Sequence, residues 1–415
     1  MKKIILFGSW AFFTWLWLGS ALQAQTGWVY GEALNDPRGH GAGAVVNGKV
    51  YFIGGAYSAT WTSDKLEVYD PADRTWTVKA SLPFPLLNAT AQAISGKIYV
   101  AGGHDTYGST SKNTLLVYDP ATNSWASKAL MPTARGSAAS AVVEGKLYVI
   151  GGSTSTGLLK KMEMYDPETN QWTEKASMPI ARAGFRAEMI QGKIYAIGGV
   201  GEGSFLSSMD IYDPVSNTWI AGPGLPQPRY WYGSVAMDTV IYVFGGAKDD
   251  VNTIETTLRY SPDIGWADLN LKLPEYKIWG ISALAGNMLY FVGGSLYPFY
   301  FPGMAGPKVT GSMLRCELTP VATQDQFASA DATLSVMPNP SNGQTTICYE
   351  LKTGVRIDLR IVDLMGQEVD CLARGFHPPG TYTVDWNAHD LPAGAYWCRL
   401  QVNGQKDVKH ILLIR

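Results

Sequence analysis

Thirteen residues before each of six tyrosines (Tyr51, Tyr99, Tyr148, Tyr195, Tyr242 and Tyr290) stand Arg38, Leu86, Arg135, Arg182, Arg229 and Lys277. Five cations at one recurring position could converge on an anion, because a planar guanidinium fits the two oxygens of a carboxylate or phosphate. The recurrence also permits a structural reading, in which each guanidinium donates to backbone carbonyls of a neighbouring unit. Nearby, Phe185, Arg186, Tyr230, Trp231, Tyr232 and Trp279 interrupt a pattern of small residues, and His104 adds an imidazole. Arg38, Arg135, Arg182, Arg229, Lys277, His104, Tyr230, Trp231 and Trp279 therefore form a candidate ligand-binding rim.

Other chemistry is sparse. No serine has an evident base beside it, so no catalytic residue is assigned. His40 and His104 are the only histidines before residue 319, and no His/Cys cluster has metal-ligand spacing, so neither metal nor cofactor is expected. The stretch "KDDVN" (Lys248 to Asn252) lacks the spacing of a helix–loop–helix calcium site and reads as a solvated turn. A net charge of −2 without a basic run argues against nucleic acid as a partner.

The elements that position these residues repeat along the chain. A glycine doublet occurs at Gly54-Gly55, Gly102-Gly103, Gly151-Gly152, Gly198-Gly199, Gly245-Gly246 and Gly293-Gly294, in steps of 47 to 49 residues. Each doublet ends an apolar run ("KVYFI", "KIYVA", "KLYVI", "KIYAI", "VIYVF", "MLYFV") and opens a polar loop. A phosphate-binding turn would occur once and open a helix, so these glycines are not one. A tyrosine then precedes a tryptophan at Tyr69/Trp76, Tyr118/Trp125, Tyr165/Trp172, Tyr212/Trp219 and Tyr260/Trp266, the first four pairs spanning an Asp-Pro bend. "NGK", "SGK", "EGK" and "QGK" before the apolar runs predict tight two-residue hairpins. Each unit is thus four antiparallel strands. The second strand shows no alternation, which implies burial on both faces and sheets stacked radially. Only 16% of residues are charged while Gly, Trp and Tyr are plentiful, as befits an all-β chain rich in turns.

The diglycine followed by spaced Tyr and Trp resembles the kelch family over about residues 28–318. The resemblance implies a six-bladed β-propeller, here assigned to residues 25–318. Trp28 stands ten residues before Arg38, as Trp125 does before Arg135, while the sixth unit's third strand, "SMLRCEL", lacks a tryptophan strand after it. The N-terminal strand is therefore expected to complete the last blade and remove both open edges. Cys316 falls where other units carry tyrosine and is expected to be a core thiol. Some kelch propellers are copper radical oxidases with a Tyr–Cys cross-link, but Cys316 at a core position does not fit that site. The loops after the glycines ("AYSATWTSD", "HDTYGSTSK", "STSTGLLKK" and their counterparts) share one face with the starts of the first strands. That face, rich in hydroxyls and aromatics, suits a glycan or a protein ligand.

The two ends differ from the repeat. Residues 1–24 carry Lys2 and Lys3, an apolar run broken by Gly8, Ser9, Gly19 and Ser20, and Ala24, as in a secretory signal peptide. No other segment is expected to cross a membrane. Residues 319–333 read as a linker. Residues 334–415 carry "PNPSNG", "DLMGQEV", "LPAGAYWCRL" and "KDVKHILLIR", and resemble the type A C-terminal sorting domain of the type IX secretion system, a small β-sandwich. That resemblance implies type IX machinery as a partner, a Bacteroidetes-like source, and a secreted or outer-surface destination. Cys348, Cys371 and Cys398 lie there, with their pairing left open. The expectation for the whole chain is an exported kelch-propeller binding module. The alternative is a sugar-active propeller enzyme, resembling a sialic-acid mutarotase or epimerase, that uses the arginine rim and His104.

Overall fold

The computed structural model describes residues 27–58, 61–106, 109–296, 309–318, 324–325, 332–337, 341–362, 368–392, 394–402 and 405–413. The expected signal peptide and most of the expected linker lie outside these residues. All regular elements described are β-strands, and no helix occurs among the described residues.

Local sequence explains the hairpins. Asn47-Gly48, Ser95-Gly96, Glu144-Gly145 and Gln191-Gly192 all have positive φ at both positions, the signature of a two-residue type I′ turn. In the Asp-Pro bends the aspartate turns back on the chain, as where Ala121 N–H donates to Asp119 Oδ1 at 2.9 Å. The asparagine ending the bend takes a positive φ at Asn123, Asn170 and Asn217. Its side chain accepts from the tyrosine of the same unit, 2.7 Å from Tyr118 to Asn123, and from the backbone of the preceding unit at Ala80 N.

Six four-stranded antiparallel sheets follow one another among the described residues. Sheet one comprises Ala42–Val46, Lys49–Ile53, Leu66–Asp70 and Thr75–Lys79. Sheet two begins at Thr90–Ile94, sheet three at Ala139–Val143, sheet four at Arg186–Ile190 and sheet five at Gly233–Met237. Sheet six holds Ile281–Ala285, Met288–Val292 and Met313–Glu317, and its fourth strand is Val29–Tyr30 from the N-terminal end. The first strands touch in succession, and the first strand of sheet six touches that of sheet one. Cys316 pairs with Leu289 in the register by which Tyr165 pairs with Leu147, so the thiol occupies the tyrosine position. It is 1% exposed, and burial pushes its pKa up to about 11.

The paired tyrosines and tryptophans, expected as a structural signature, differ in burial. Tyr69, Tyr118, Tyr165, Tyr212 and Tyr260 on the third strands are buried, whereas Trp76, Trp125, Trp172, Trp219 and Trp266 are only half-buried. The reason is position, since each tryptophan lies on the fourth strand, at the outer edge of its sheet. Its indole leans on the tyrosine opposite, with ring centroids 5.1 to 5.2 Å apart. The ring nitrogen donates to a carbonyl that precedes the sheet: Trp76 to Glu32, Trp125 to Ala80, Trp172 to Ala129, Trp219 to Ala176 and Trp266 to Pro223, at 2.8 to 2.9 Å. The tryptophans are therefore hydrogen-bonded clasps between neighbouring sheets rather than core residues. Trp28 is the exception, 6% exposed and donating to Thr257 Oγ1 at 2.8 Å.

The glycine doublets have a joint steric and hydrogen-bonding cause. Both glycines of each pair have positive φ, for example +67° and +99° at Gly102 and Gly103. The second glycine donates its N–H to the carbonyl that begins the next sheet: Gly55 to Leu86, Gly103 to Arg135, Gly152 to Arg182, Gly199 to Arg229, Gly246 to Lys277 and Gly294 to Arg38. These bonds are 2.8 to 3.0 Å long, and the last returns from sheet six to sheet one. The same carbonyl crowds the first glycine, since a β-carbon on Gly102 would lie 2.3 Å from Arg135 O and one on Gly293 would lie 2.4 Å from Arg38 O.

Residues beyond 324 form a separate pair of sheets. One orders Gln324–Asp325, Gln405–Leu413, Gly394–Val402, Val355–Val362 and Glu368–His377; the other orders Ala332–Met337, Gln344–Leu351 and Gly380–Asn387. Their facing sides bury Leu334, Ile347, Leu359, Ile361, Trp386 and Leu400 in one core. The first strand of the second sheet begins at Ala332, inside the stretch expected to be linker, because Ala332 and Leu334 point into that core. No disulfide joins Cys316, Cys348, Cys371 and Cys398 to one another.

Two glycines at similar φ separate backbone strain from steric clash. Gly145, φ +73°, faces open space, whereas Gly102 faces the Arg135 carbonyl. Gly145→Ala is expected to lower stability by about 1 kcal/mol and Gly102→Ala by roughly 3 kcal/mol or more, measured by denaturant unfolding.

Candidate ligand-binding face and axial mouth

The recurring cations do not face a ligand. Arg38, Arg135, Arg182, Arg229 and Lys277 are each 0% exposed, which corrects the expectation of a charged rim. The arginines bond carbonyls of their own sheet, where a neighbouring unit was the structural expectation. Arg135 Nη1 donates to Gly151 O at 3.1 Å and to Lys161 O at 2.8 Å. Arg182 and Arg229 repeat this on Gly198 and Ser208, and on Gly245 and Thr256. The guanidiniums of Arg135, Arg182 and Arg229 thereby tie the two ends of their glycine loops together.

The counter-charges come from the second residue of the third strand. Arg38 pairs with Glu67, Arg135 with Glu163 at 2.7 Å, and Arg182 with Asp210. Burial pushes the Asp210 pKa up, and the Arg182 charge offsets this only in part. In sheet two both partners are apolar, Leu86 and Leu116, each 2% exposed. In sheet five the acid is replaced by Leu258, and burial lowers the Arg229 pKa to about 10. Lys277 takes Glu275 at 3.1 Å instead.

Two residues beyond each cation position the chain closes a ring around the axis. His40 N donates to Trp279 O, Trp279 N to Trp231 O, Trp231 N to Gly184 O, Gly184 N to Ser137 O, Ser137 N to Asn88 O, and Asn88 N to His40 O. The six bonds span 2.8 to 3.1 Å, and all six residues have φ between +54° and +61°. Trp231 and Trp279, expected at the mouth, are members of this ring. His40 packs on Trp279 with centroids 4.1 Å apart, and its Nδ1 lies 2.9 Å from Asn88 Oδ1. Burial holds the imidazole neutral, with a pKa of about 3.

The mouth is chemically divided. On the side of sheets four to six, Val200, Phe205, Tyr230, Trp231, Ala247, Ile278 and Trp279 form one apolar cluster, in which Tyr230 stacks on Phe205 at 4.9 Å. On the other side stand His40, Asn88 and Ser137. Arg186 and Glu188 lie just below, on the first strand of sheet four. Arg186 donates to Tyr232 O at 2.8 Å and to Gly280 O at 3.1 Å, and Glu188 accepts from the Ser234 hydroxyl. Burial raises the Glu188 pKa to about 7.

The loop face carries the open surface. A cleft of about 750 Å³ lies between the loops of sheets three and four, lined among others by Leu158, Lys160, Lys161, Ile180, Glu202 and Leu206. Two short hairpins, Ser153–Thr154 with Gly157–Leu158 and Val200–Gly201 with Ser204–Phe205, border it. On sheet one's loop Trp61 is 73% exposed, while Tyr57 below it donates to Asp36 and Lys65 pairs with Asp36. His104 is half-buried, with its ring pressed against Gly136, where a β-carbon would lie 2.0 Å from Nε2. The "KDDVN" loop is self-satisfied, with Asp249 accepting from Val251 and Asn252. Sequence reasoning missed the cleft and the roles of Asn88, Ser137 and Glu188. The signal in the chain was Glu188, a charged residue where other units carry Ala44, Ala141, Val235 and Ala283.

Small antiparallel sheets that follow one another and carry loops define an all-β propeller. The model for the KLHDC2/KLHL20/DRC7 kelch-repeats domain matches residues 39–246 and again 88–294, and the chain belongs to the kelch-repeat family. Residues 335–414 match the secretion system C-terminal sorting domain. Similar curated proteins are an F-box/kelch-repeat protein of Arabidopsis thaliana, 42% identical over 64 residues, and alpha-scruin of Limulus polyphemus, 33% identical over 96 residues. These matches cover 15% and 21% of this chain but only 17% and 10% of the relatives' own lengths. The solved structure of YjhT is 21% identical with a TM-score of 0.57, covering 68% of this chain and 96% of that one, a likeness of fold.

Two measurements address the buried charges. Arg182→Leu leaves Asp210 buried without its partner and is expected to cost about 3–5 kcal/mol, whereas Arg182→Leu with Asp210→Leu, copying Leu86 and Leu116, recovers most of that loss in denaturant unfolding. For Glu188 the folded pKa of about 7 exceeds the ordinary value of 4.5, so its contribution to stability is full below pH 4.5 and is lost as pH rises through 7. Glu188→Gln is expected to abolish this slope, worth no more than about 3 kcal/mol between pH 4.5 and 8.

Proposed function

We propose that this chain is an exported binding module. In this reading the six sheets are the blades of a six-bladed propeller over residues 25–318, closed by the strand at Val29–Tyr30. Residues 1–24 direct export and are removed, residues 319–333 link the two units, and residues 334–415 engage the type IX machinery. The destination is the cell surface or the medium. The sorting-domain match supports the route, and the return of the Gly294 bond to Arg38 supports closure.

The observation that carries the binding role is the cleft between the third and fourth loops. Its size suits a ligand, and a pocket of apolar walls with a few charged groups is a common recognition surface. Leu158, Ile180 and Leu206 beside Lys160 and Lys161 fit an extended protein segment bearing acidic and aliphatic side chains. A second reading, a glycan, is favoured by Trp61, whose exposed indole offers a face for a sugar ring. The sugar-active enzyme has less to support it, because the guanidinium of Arg182 is already engaged by Asp210, Gly198 and Ser208.

The test uses the secreted chain on a printed glycan array and against a displayed library of acidic–aliphatic peptides. Peptide binding that falls at least about tenfold in Ile180→Asp, with unchanged melting, is the expected result. Glycan binding lost in Trp61→Ala would replace it with the second reading. Failure to bind either collection, or binding indifferent to both substitutions, would overturn the module.

A further inference from the structure

Among the described residues Arg186, like Arg229, has no carboxylate partner. Arg38, Arg135 and Arg182 each meet a carboxylate, but Arg186 meets only the Tyr232 and Gly280 carbonyls, through Nε and Nη2. Among the described residues its Nη1 makes no hydrogen bond and the guanidinium has no ion pair. Glu188, two residues along the same strand, turns to Ser234 instead. Burial lowers the Arg186 pKa, and the nearby Tyr232 and Glu188 offset this only in part. Such a charge is costly unless something of opposite sign accompanies it.

The space beside Arg186 is an axial cavity of about 40 Å³ walled by the ring residues. That is room for a particle or two of water size, and too little for a sugar or a peptide unit. Its lining holds His40, Asn88, Ser137, Arg186, Trp231 and Trp279 with Phe185 and small residues, and no carboxylate. The neutral His40 donates from Nδ1 to Asn88 Oδ1, which leaves the Asn88 amide nitrogen and the Ser137 hydroxyl as further donors in the wall.

We propose that this axial cavity is an anion site, holding one small monovalent anion of halide size against the Arg186 guanidinium. The ion supplies the charge that Glu67, Glu163 and Asp210 supply elsewhere. It joins sheet four to sheets five and six through Arg186, and to sheets two and three through Asn88 and Ser137. This assignment is independent of what the loop face binds.

The experiment is the melting midpoint of the full secreted chain, at fixed pH and ionic strength, as bromide replaces gluconate, which is too large to enter. The expected result is a midpoint that rises with bromide and saturates, together with an anomalous bromide peak beside Arg186 in a crystal. Asn88→Asp places a carboxylate in the wall, at a positive φ that aspartate tolerates, and is expected to remove the bromide dependence while leaving the protein folded. Arg186→Met is expected to remove it as well. Equal midpoints in bromide and gluconate would overturn the site. So would a bromide effect that persists in the folded Asn88→Asp protein.

Discussion

The contact between the second glycine of one sheet and the carbonyl that opens the next is the constraint on which the rest depends. It brings two backbones together so closely that the first glycine has no space for a side chain, and it uses φ values that only glycine adopts at low cost. Six such contacts set the spacing of the sheets. The second strand, pressed between neighbours, must then be apolar on both faces, as the four fully buried or nearly buried residues of "KVYFI" are. The half-buried tryptophans of the outer strands serve the same joint from further out, with each indole donating to the preceding unit, as Trp125 does to Ala80 O at 2.8 Å.

Buried cations behind the glycines solve a local problem. The loop after each doublet leaves carbonyls turned inward, and a backbone carbonyl removed from water needs a donor. Arginine's fork reaches two of them at once and still offers an edge to an acid on the third strand. The variation among sheets shows that this is a matter of satisfaction rather than of charge. Leu86 and Leu116 replace the whole pair in sheet two, and Lys277 with Glu275 and Ser312 rebuilds it in sheet six. A buried ion pair and an apolar pair of similar volume are close in free energy, so the repeat accepts either.

With the frame consuming its own cations, recognition falls to groups outside the repeat pattern. Trp61, the walls of the cleft between sheets three and four, and the aromatic half of the mouth each occur in only one to three units. A symmetric scaffold thus presents an asymmetric surface. The loops can vary because the glycine joints beneath them carry the packing.

Much of the architecture was legible in the chain, because it rests on backbone geometry that few residues tolerate. Glycine doublets at a step of 47 to 49 residues, Asn-Gly-like hairpins and Asp-Pro bends each allow essentially one local conformation, so their order revealed the strands, the Cys316 substitution and the pairing partner of Val29–Tyr30. The direction of a side chain is different. Arg182 looked the same in sequence whether it pointed at a ligand or at Gly198 O, and only the packing of the third strand, bringing Asp210 to it, decided the matter. The cleft, the ring through His40 and Trp279, and the unpaired charge of Arg186 likewise arise between units far apart in the chain. By itself the sequence determined the repeating frame, since local torsions suffice for it. The tertiary structure alone decided which polar groups that frame consumes and which remain for a ligand, because that depends on distances between residues that no spacing along the chain encodes.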